Sequence, residues 1–335
     1  PIITRFCLKI DLIMLSLPCD IEVKILPLPG VCMFLVLGNV TIDEAMATDT
    51  WLAPGQTIVV GAPKRDLGGK GANQALVLSR TGAPVRFVAA IGRDAEGDWA
   101  AARLAAEDLS EADLLRVDYP TDRSLIFVSG EGENAIASTV AAAQSIDAAR
   151  ARSLVAALAP GDALLLQGNL SLAATRAALE TARSVGARTI VNPSPIQSGF
   201  AELLPLIDML VLNEGEASRI GGVVDPAAAA GTLRAAGAGA VVLTLGGRGA
   251  LYLNETGANQ MPAPSVTVVD TTGAGDTFIG VLVGALYHAG LPWAAAIEAA
   301  IAAAALTVQR AGTLAAFPSR AEIAAILGRG GVVAR

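Results

Sequence analysis

The chain has 335 residues, 53% of them hydrophobic and 16% charged, enough apolar material for one large α/β domain and too little charge for a disordered chain. Its 24 Lys and Arg against 31 Asp and Glu leave a net charge of −7, with no dense basic run. No nucleic-acid partner and no membrane surface are therefore expected, whereas a locally positive pocket for a small anion is compatible with this balance.

In chain order, residues 1–32 show neither helical nor strand period and hold all three cysteines, Cys7, Cys19 and Cys32. They read as an N-terminal extension of unknown role. A body without cysteine cannot be disulfide-stapled, so the expected compartment is the reducing cytoplasm. The early apolar runs are interrupted by Lys9, Asp11, Pro27, Pro29 and Gly30, and the later one, 277–308, by His288, Gly290, Pro292 and Glu298. None supplies the ~20 unbroken apolar residues of a membrane span.

From Phe34 short apolar runs alternate with longer Ala-rich amphipathic ones, the pattern of βα units around a parallel sheet. The expected strands are 34–38, 85–91, 163–167, 189–192, 208–213 and 240–245. Helices are expected over 72–80, 98–109, 172–185, 226–237, 275–288 and 292–310. The fold class is α/β, a three-layer doubly wound sheet over 33–330. Segments 43–65, with 57–60 strand-like, and 120–138 break this rhythm and are expected to form a small β-sheet lid. In such folds ligands bind beyond the carboxyl ends of the strands, where the motifs fall.

The strongest motif is Val269-Asp270-Thr271-Thr272-Gly273-Ala274-Gly275-Asp276-Thr277-Phe278. A strand runs into small residues and then an apolar helix, so the N–H groups of Gly273, Ala274 and Gly275, with the helix dipole, can hold an anion. Asp276 beside that anion would serve to take a proton from an attacking hydroxyl. The alternative is that it merely caps the helix, and Gly-x-Gly-Asp by itself leaves both readings open. Neither a P-loop nor a dinucleotide fingerprint is present, since Lys64 and Gly71 occupy key P-loop places around Lys70 and Phe278 replaces the third glycine after Gly275. His288, the only histidine, reads as structural or exposed.

Gly68-Gly69-Lys70-Gly71-Ala72-Asn73-Gln74-Ala75 and the Asp270 to Phe278 motif resemble the two signatures of the ribokinase-like, or PfkB, carbohydrate kinases. Gly92-Arg93-Asp94-Ala95-Glu96-Gly97, Asn213-Glu214-Gly215-Glu216 and Thr244-Leu245-Gly246-Gly247-Arg248-Gly249 resemble that family's further motifs in the same order. The resemblance spans about 34–327 and implies a three-layer α/β fold with a β lid. It implies ATP and Mg2+ as cofactors, Asp276 as catalytic base and Gly273, Ala274 and Gly275 as anion hole. Asp43, Gly69, Lys70, Asn73, Thr41 and Asn169 would bind the sugar, and Asn213, Thr244, Gly246 and Gly249 the nucleotide. Glu216 would hold Mg2+ through water, although Asn213 and Glu216 are equally a capping box. Asp270 and the carbonyls of Thr272, Thr307, Arg310 and Gly312 would hold K+.

Thr41, the Gln167-Gly168-Asn169 segment, Asp122, Arg123 and Ala316 depart from the family pattern. Arg123 is left between an exposed lid residue and a partner for a substrate anion. The resemblance implies D-ribose as leading acceptor, with fructose, deoxyribose, a sugar acid or a nucleoside as alternatives, and a non-catalytic sensor as the competing class. A homodimer through the lid is expected.

Overall fold

The computed structural model describes residues 33–107, 109, 113–130 and 134–330, so the extension 1–32 with its cysteines lies outside the described residues. The first strand, β1 (Phe34–Gly38), sits inside a nine-stranded sheet, and the chain leaves it in both directions. On one side come β4 (Val85–Gly92) and β5 (Leu114–Val117). On the other come β8 (Ala163–Gln167), β9 (Arg188–Asn192), β10 (Met209–Asn213), β11 (Ala240–Thr244), β12 (Ala250–Asn254) and β13 (Gly257–Met261). All neighbours from β5 through β11 are parallel, and β12 alone runs against the rest, pairing antiparallel with β11 and with β13. The order reverses at β1, which opens a crevice at the strand carboxyl ends.

The central parallel strands β1, β8, β10 and β11 are nearly continuous apolar runs because helices cover both faces. On one face Phe34, Val36, Leu165 and Val211 pack with Val77, Val281 and Ile297; on the other Leu35, Leu37, Leu164 and Leu210 pack with Val155, Leu179 and Leu233. Each such side chain contributes roughly 1.5–3 kcal/mol by leaving water. Helix starts carry side-chain caps where the sequence supplies Asp94, Asp147, Ser171, Asn213 and Asp225.

Two helices position the site, α1 (Lys70–Arg80) and the helix Ala274–Tyr287, which is buried from Asp276 through Ala285. A methyl group at Gly280 would stand 2.8 Å from Val77, and one at Gly284 would collide with Thr81, so these glycines let α1 pack directly on the buried helix. His288 caps the far end of that helix, about 18 Å from Asp276 at 1.5 Å per residue.

A second sheet has the order β3 (Lys64–Gly68), β2 (Thr41–Thr48), β6 (Arg123–Ser129), β7 (Asn134–Ser138). The strand expected at 57–60 does not form. The β2 edge is taken by Lys64–Gly68 instead, the chain just after 57–60 meets β2 through Gly61 N–H to the Ala47 carbonyl, and Val59 is 94% exposed. Helix Ala95–Ala105 also begins earlier than expected, at the Asp94 cap. No helix among the described residues is long and apolar enough to cross a membrane.

Candidate active site

The turn from β3 into α1 is glycine-rich because it is wedged against the turn from β1 into β2. A side chain at Gly68 would occupy the place of the Asp43 carboxylate, and Gly69, at φ +95°, would press on Asn39 and Thr41. The Asn39 side chain accepts from Gly71 N–H at 3.1 Å, and its carbonyl accepts from Ala72 N–H at 3.0 Å. Asp43 is buried and accepts the Thr41 hydroxyl at 2.6 Å. Burial pushes Asp43 up to about 6; Thr41 and Ser124 oppose the rise, and the charges of Asp66 and Asp276 add to it. Thr41 thus orients Asp43. Lys70 opens α1 half-buried, directly after Gly69.

Asp276 is buried in the first turn of its helix, and the close α1 packing brings Asn73 and Gln74 onto it. Its Oδ2 accepts from Asn73 at 2.9 Å and its Oδ1 from Gln74 at 2.9 Å. Gly273, the preceding cap, has φ +75°, and a methyl group there would lie 2.5 Å from the Phe317 ring, so only glycine fits. The expected trio of amides is redistributed. Ala274 N–H is turned to the Thr271 carbonyl at 3.3 Å, whereas the N–H groups of Gly273, Gly275 and Asp276 have no hydrogen-bond partner among the described residues. Unpaired donors at a helix start favour an anion next to the carboxylate.

At the ends of β10 and β11, Asn213 and Thr244 are register neighbours. Asn213 and Glu216 form a full capping box, with Glu216 N–H to Asn213 at 2.8 Å and Asn213 N–H to Glu216 at 3.0 Å. One Glu216 oxygen is therefore committed, and the half-exposed carboxylate keeps acceptor capacity on the other. Gly246 opens a single 3-10 turn whose surroundings are empty, and the Gly249 main chain passes against the Met261 carbonyl. Leu245 N–H to the Gly249 carbonyl, 2.8 Å, closes that loop.

Asp270 accepts from Thr272 N–H at 2.9 Å and Gly312 N–H at 3.0 Å, drawing together two of the segments expected to hold a monovalent cation. Thr307 bonds Thr277 at 2.9 Å, and its carbonyl accepts Arg310 N–H at 3.0 Å. The Arg310 side chain reaches Glu322 at 2.5 Å, and together with Ser319 holds that carboxyl down to about 2. These contacts hold Asp270 beside Thr272 and Gly312, and they tie Thr307 to Arg310.

Arg123 is committed to two carboxylates. It pairs with Glu96 at 2.5 Å and Glu44 at 3.6 Å, and its register with Ile42 puts it on the face of the small sheet opposite Asp43. Asp122 is buried and accepts from the N–H of Ala142 and Ala143, capping a short helix. The Gly92 to Gly97 motif is structural. Partial burial works against ionisation of Asp94, yet bonds from Thr121 and Gly97 hold it below the ordinary carboxylate range.

Two residues in contact with the site were missed, Gln74 and Asn192, because a glutamine within a helix and an asparagine closing a strand look ordinary in sequence. The amide oxygens of Asn73, Gln167 and Asn169 are buried without a partner.

An oriented carboxylate beside unpaired amides, at the strand ends of a doubly wound sheet, is the arrangement a phosphotransferase acting on an alcohol requires. Residues 33–320 match the pfkB family carbohydrate kinase model. A ribokinase of Haemophilus influenzae is 32% identical over 293 residues, covering 86% of this chain and 95% of that protein. Among solved structures, a ribokinase from Thermotoga maritima superposes with TM-score 0.79 and 29% identity over 89% of this chain and 99% of that one. The Arabidopsis thaliana ribokinase complexed with ribose and ATP gives 0.76 and 26% over 88% and 98%. The chain belongs to the pfkB family of carbohydrate kinases and is an ATP-dependent sugar kinase.

Proposed function

We propose that the chain transfers the γ-phosphate of ATP to the primary hydroxyl of D-ribose, giving ribose 5-phosphate and ADP. The observation that carries this reading is the Asn73–Asp276 hydrogen bond, 2.9 Å, which joins the sugar motif to the helix start bearing the base. The ribokinase relatives support ribose as acceptor. So do the unpartnered buried oxygens of Asn73 and Asn169, since each unmet acceptor costs about 1–3 kcal/mol and a polyol supplies the missing donors.

In this reading Asp43, Gly69, Lys70, Asn73 and Asn169 hold the sugar while Asp276 takes the hydroxyl proton. The oxygen attacks the γ-phosphorus, the bond to ADP breaks with its electron pair on ADP, and the Asp276 proton leaves to solvent. The amides of Gly273, Gly275 and Asp276 stabilise charge on the transferred group. Asn213, Thr244, Gly246 and Gly249 hold the nucleotide. Mg2+ would be held near Glu216 through water, and it supplies charge neutralisation on the phosphates. Asp270 and the carbonyls of Thr272, Thr307, Arg310 and Gly312 would hold K+. The small sheet acts as a lid and pairs two chains; the protein works in the cytoplasm, where ATP is its donor.

Asp276→Asn tests the base. Turnover of D-ribose with Mg-ATP should fall by about 10²–10⁴-fold, with ribose binding by calorimetry nearly unchanged. Near-normal turnover would refute the assignment. In a panel of ribose, deoxyribose, fructose, 2-keto-3-deoxygluconate and adenosine, ribose should have the highest kcat/KM; equal values would remove it as the specific acceptor.

A further inference from the structure

We propose that Gln74 is the positioning residue for Asp276, acting through a buried amide chain whose direction is set by one main-chain carbonyl. The proposal rests on Asp276 being the base. Gln74 is fully buried, and both ends of its amide are used. Asn192 Nδ2 donates to the Val211 carbonyl at 3.0 Å, and a carbonyl can only accept. Asn192 Oδ1 must therefore face Gln74, which presents Nε2 to it at 3.2 Å. The same NH2 group reaches Asp276 Oδ1 at 2.9 Å, and Gln74 Oε1 accepts from Gln167 Nε2 at 2.9 Å.

A flipped Gln74 would set its oxygen against two other acceptors, Asp276 and Asn192. The amide is thus locked with its donors toward the base, across the ends of β8, β9 and β10, where Gln167 and Asn192 are register partners. With Asn73 on Oδ2, each carboxylate oxygen of Asp276 holds one N–H, which fixes the orientation of the group. Of the charged groups around it, Asp43 feels the charge of Asp276 from the small sheet. Lys70 lies one turn ahead of Gln74 on α1, and Asp270 precedes the Asp276 helix. Arg80 and Arg310 are committed to Glu107 and Glu322. Among the described residues no charged side chain hydrogen-bonds Asp276.

Steady-state kinetics with D-ribose and Mg-ATP test this. Gln74→Leu should lower kcat by about 10- to 100-fold, the scale of a misplaced reacting group, with both KM values within about twofold. Asn192→Leu, at a residue whose side chain hydrogen-bonds Gln74 and the Val211 carbonyl but not Asp276, should lower kcat in the same direction. The double variant should be no worse than Gln74→Leu, because both break one chain. Gln74→Glu, an isostere that keeps the fold testable, should move the acid limb of kcat against pH upward by about one unit or more through a like charge beside Asp276. Wild-type kcat in Gln74→Leu, losses that multiply in the double variant, or an unmoved acid limb would overturn the proposal. If Asp276→Asn abolishes turnover while these variants behave as wild type, the amide chain alone fails; if Asp276→Asn stays active, the base assignment fails first.

Discussion

Asp43 shows how one residue couples stability to binding. Its carboxyl is withdrawn from water with only hydroxyl partners, so it titrates near 6 in the folded protein against 3.8 as an ordinary Asp. Between those values the folded state holds a proton the unfolded state has lost. Stability is therefore highest below the lower value and falls as pH rises through the window, by on the order of 3 kcal/mol if the full shift applies. Asp43→Asn should flatten the unfolding free energy between pH 4 and 6 in urea titrations; an unchanged slope would contradict the burial argument. Sugar binding should run the other way. The ionised carboxylate accepts hydroxyl hydrogens, so ribose affinity should weaken about tenfold per pH unit below about 6.

At the scale of elements, the site depends on α1 lying against the buried helix that starts at Ala274. The contact exists because Gly280 and Gly284 present bare backbone to Val77 and Thr81. Gly280→Ala should cost about 1–3 kcal/mol of stability, the usual penalty for overpacking, read in denaturant unfolding. It should also lower kcat, because moving α1 moves Asn73 and Gln74 away from Asp276. A variant with full stability and full activity would show that the seam has slack. Capping was legible here, and its ambiguity was real. Asn213 and Glu216 use the same side chains to cap a helix as they would to hold a hydrated ion, so spacing could not separate the roles.

At the scale of the molecule, register makes the face of the small sheet that carries Asp43 continuous with Ala45, Ala47, Ile126, Val128 and Ile136. Ile136 is 55% exposed, and a paired second copy would cover it. Sedimentation should give twice the chain mass, and Ile136→Glu should give monomers with a raised KM for ribose; a wild-type monomer would remove the proposed pairing. The βα rhythm, the buried parallel strands, the glycine turn before α1 and the Asp276 helix start could all be read along the chain, because each is set by neighbours a few residues apart. Strand 57–60, the direction of Arg123, the Ala274 amide and the Gln74 contact could not. Those depend on which edge finds a partner and which side chains meet across about 200 residues of sequence, as Asn73 and Gln74 do with Asp276. Local pattern carries no record of such distant geometry, and only packing in three dimensions decides it.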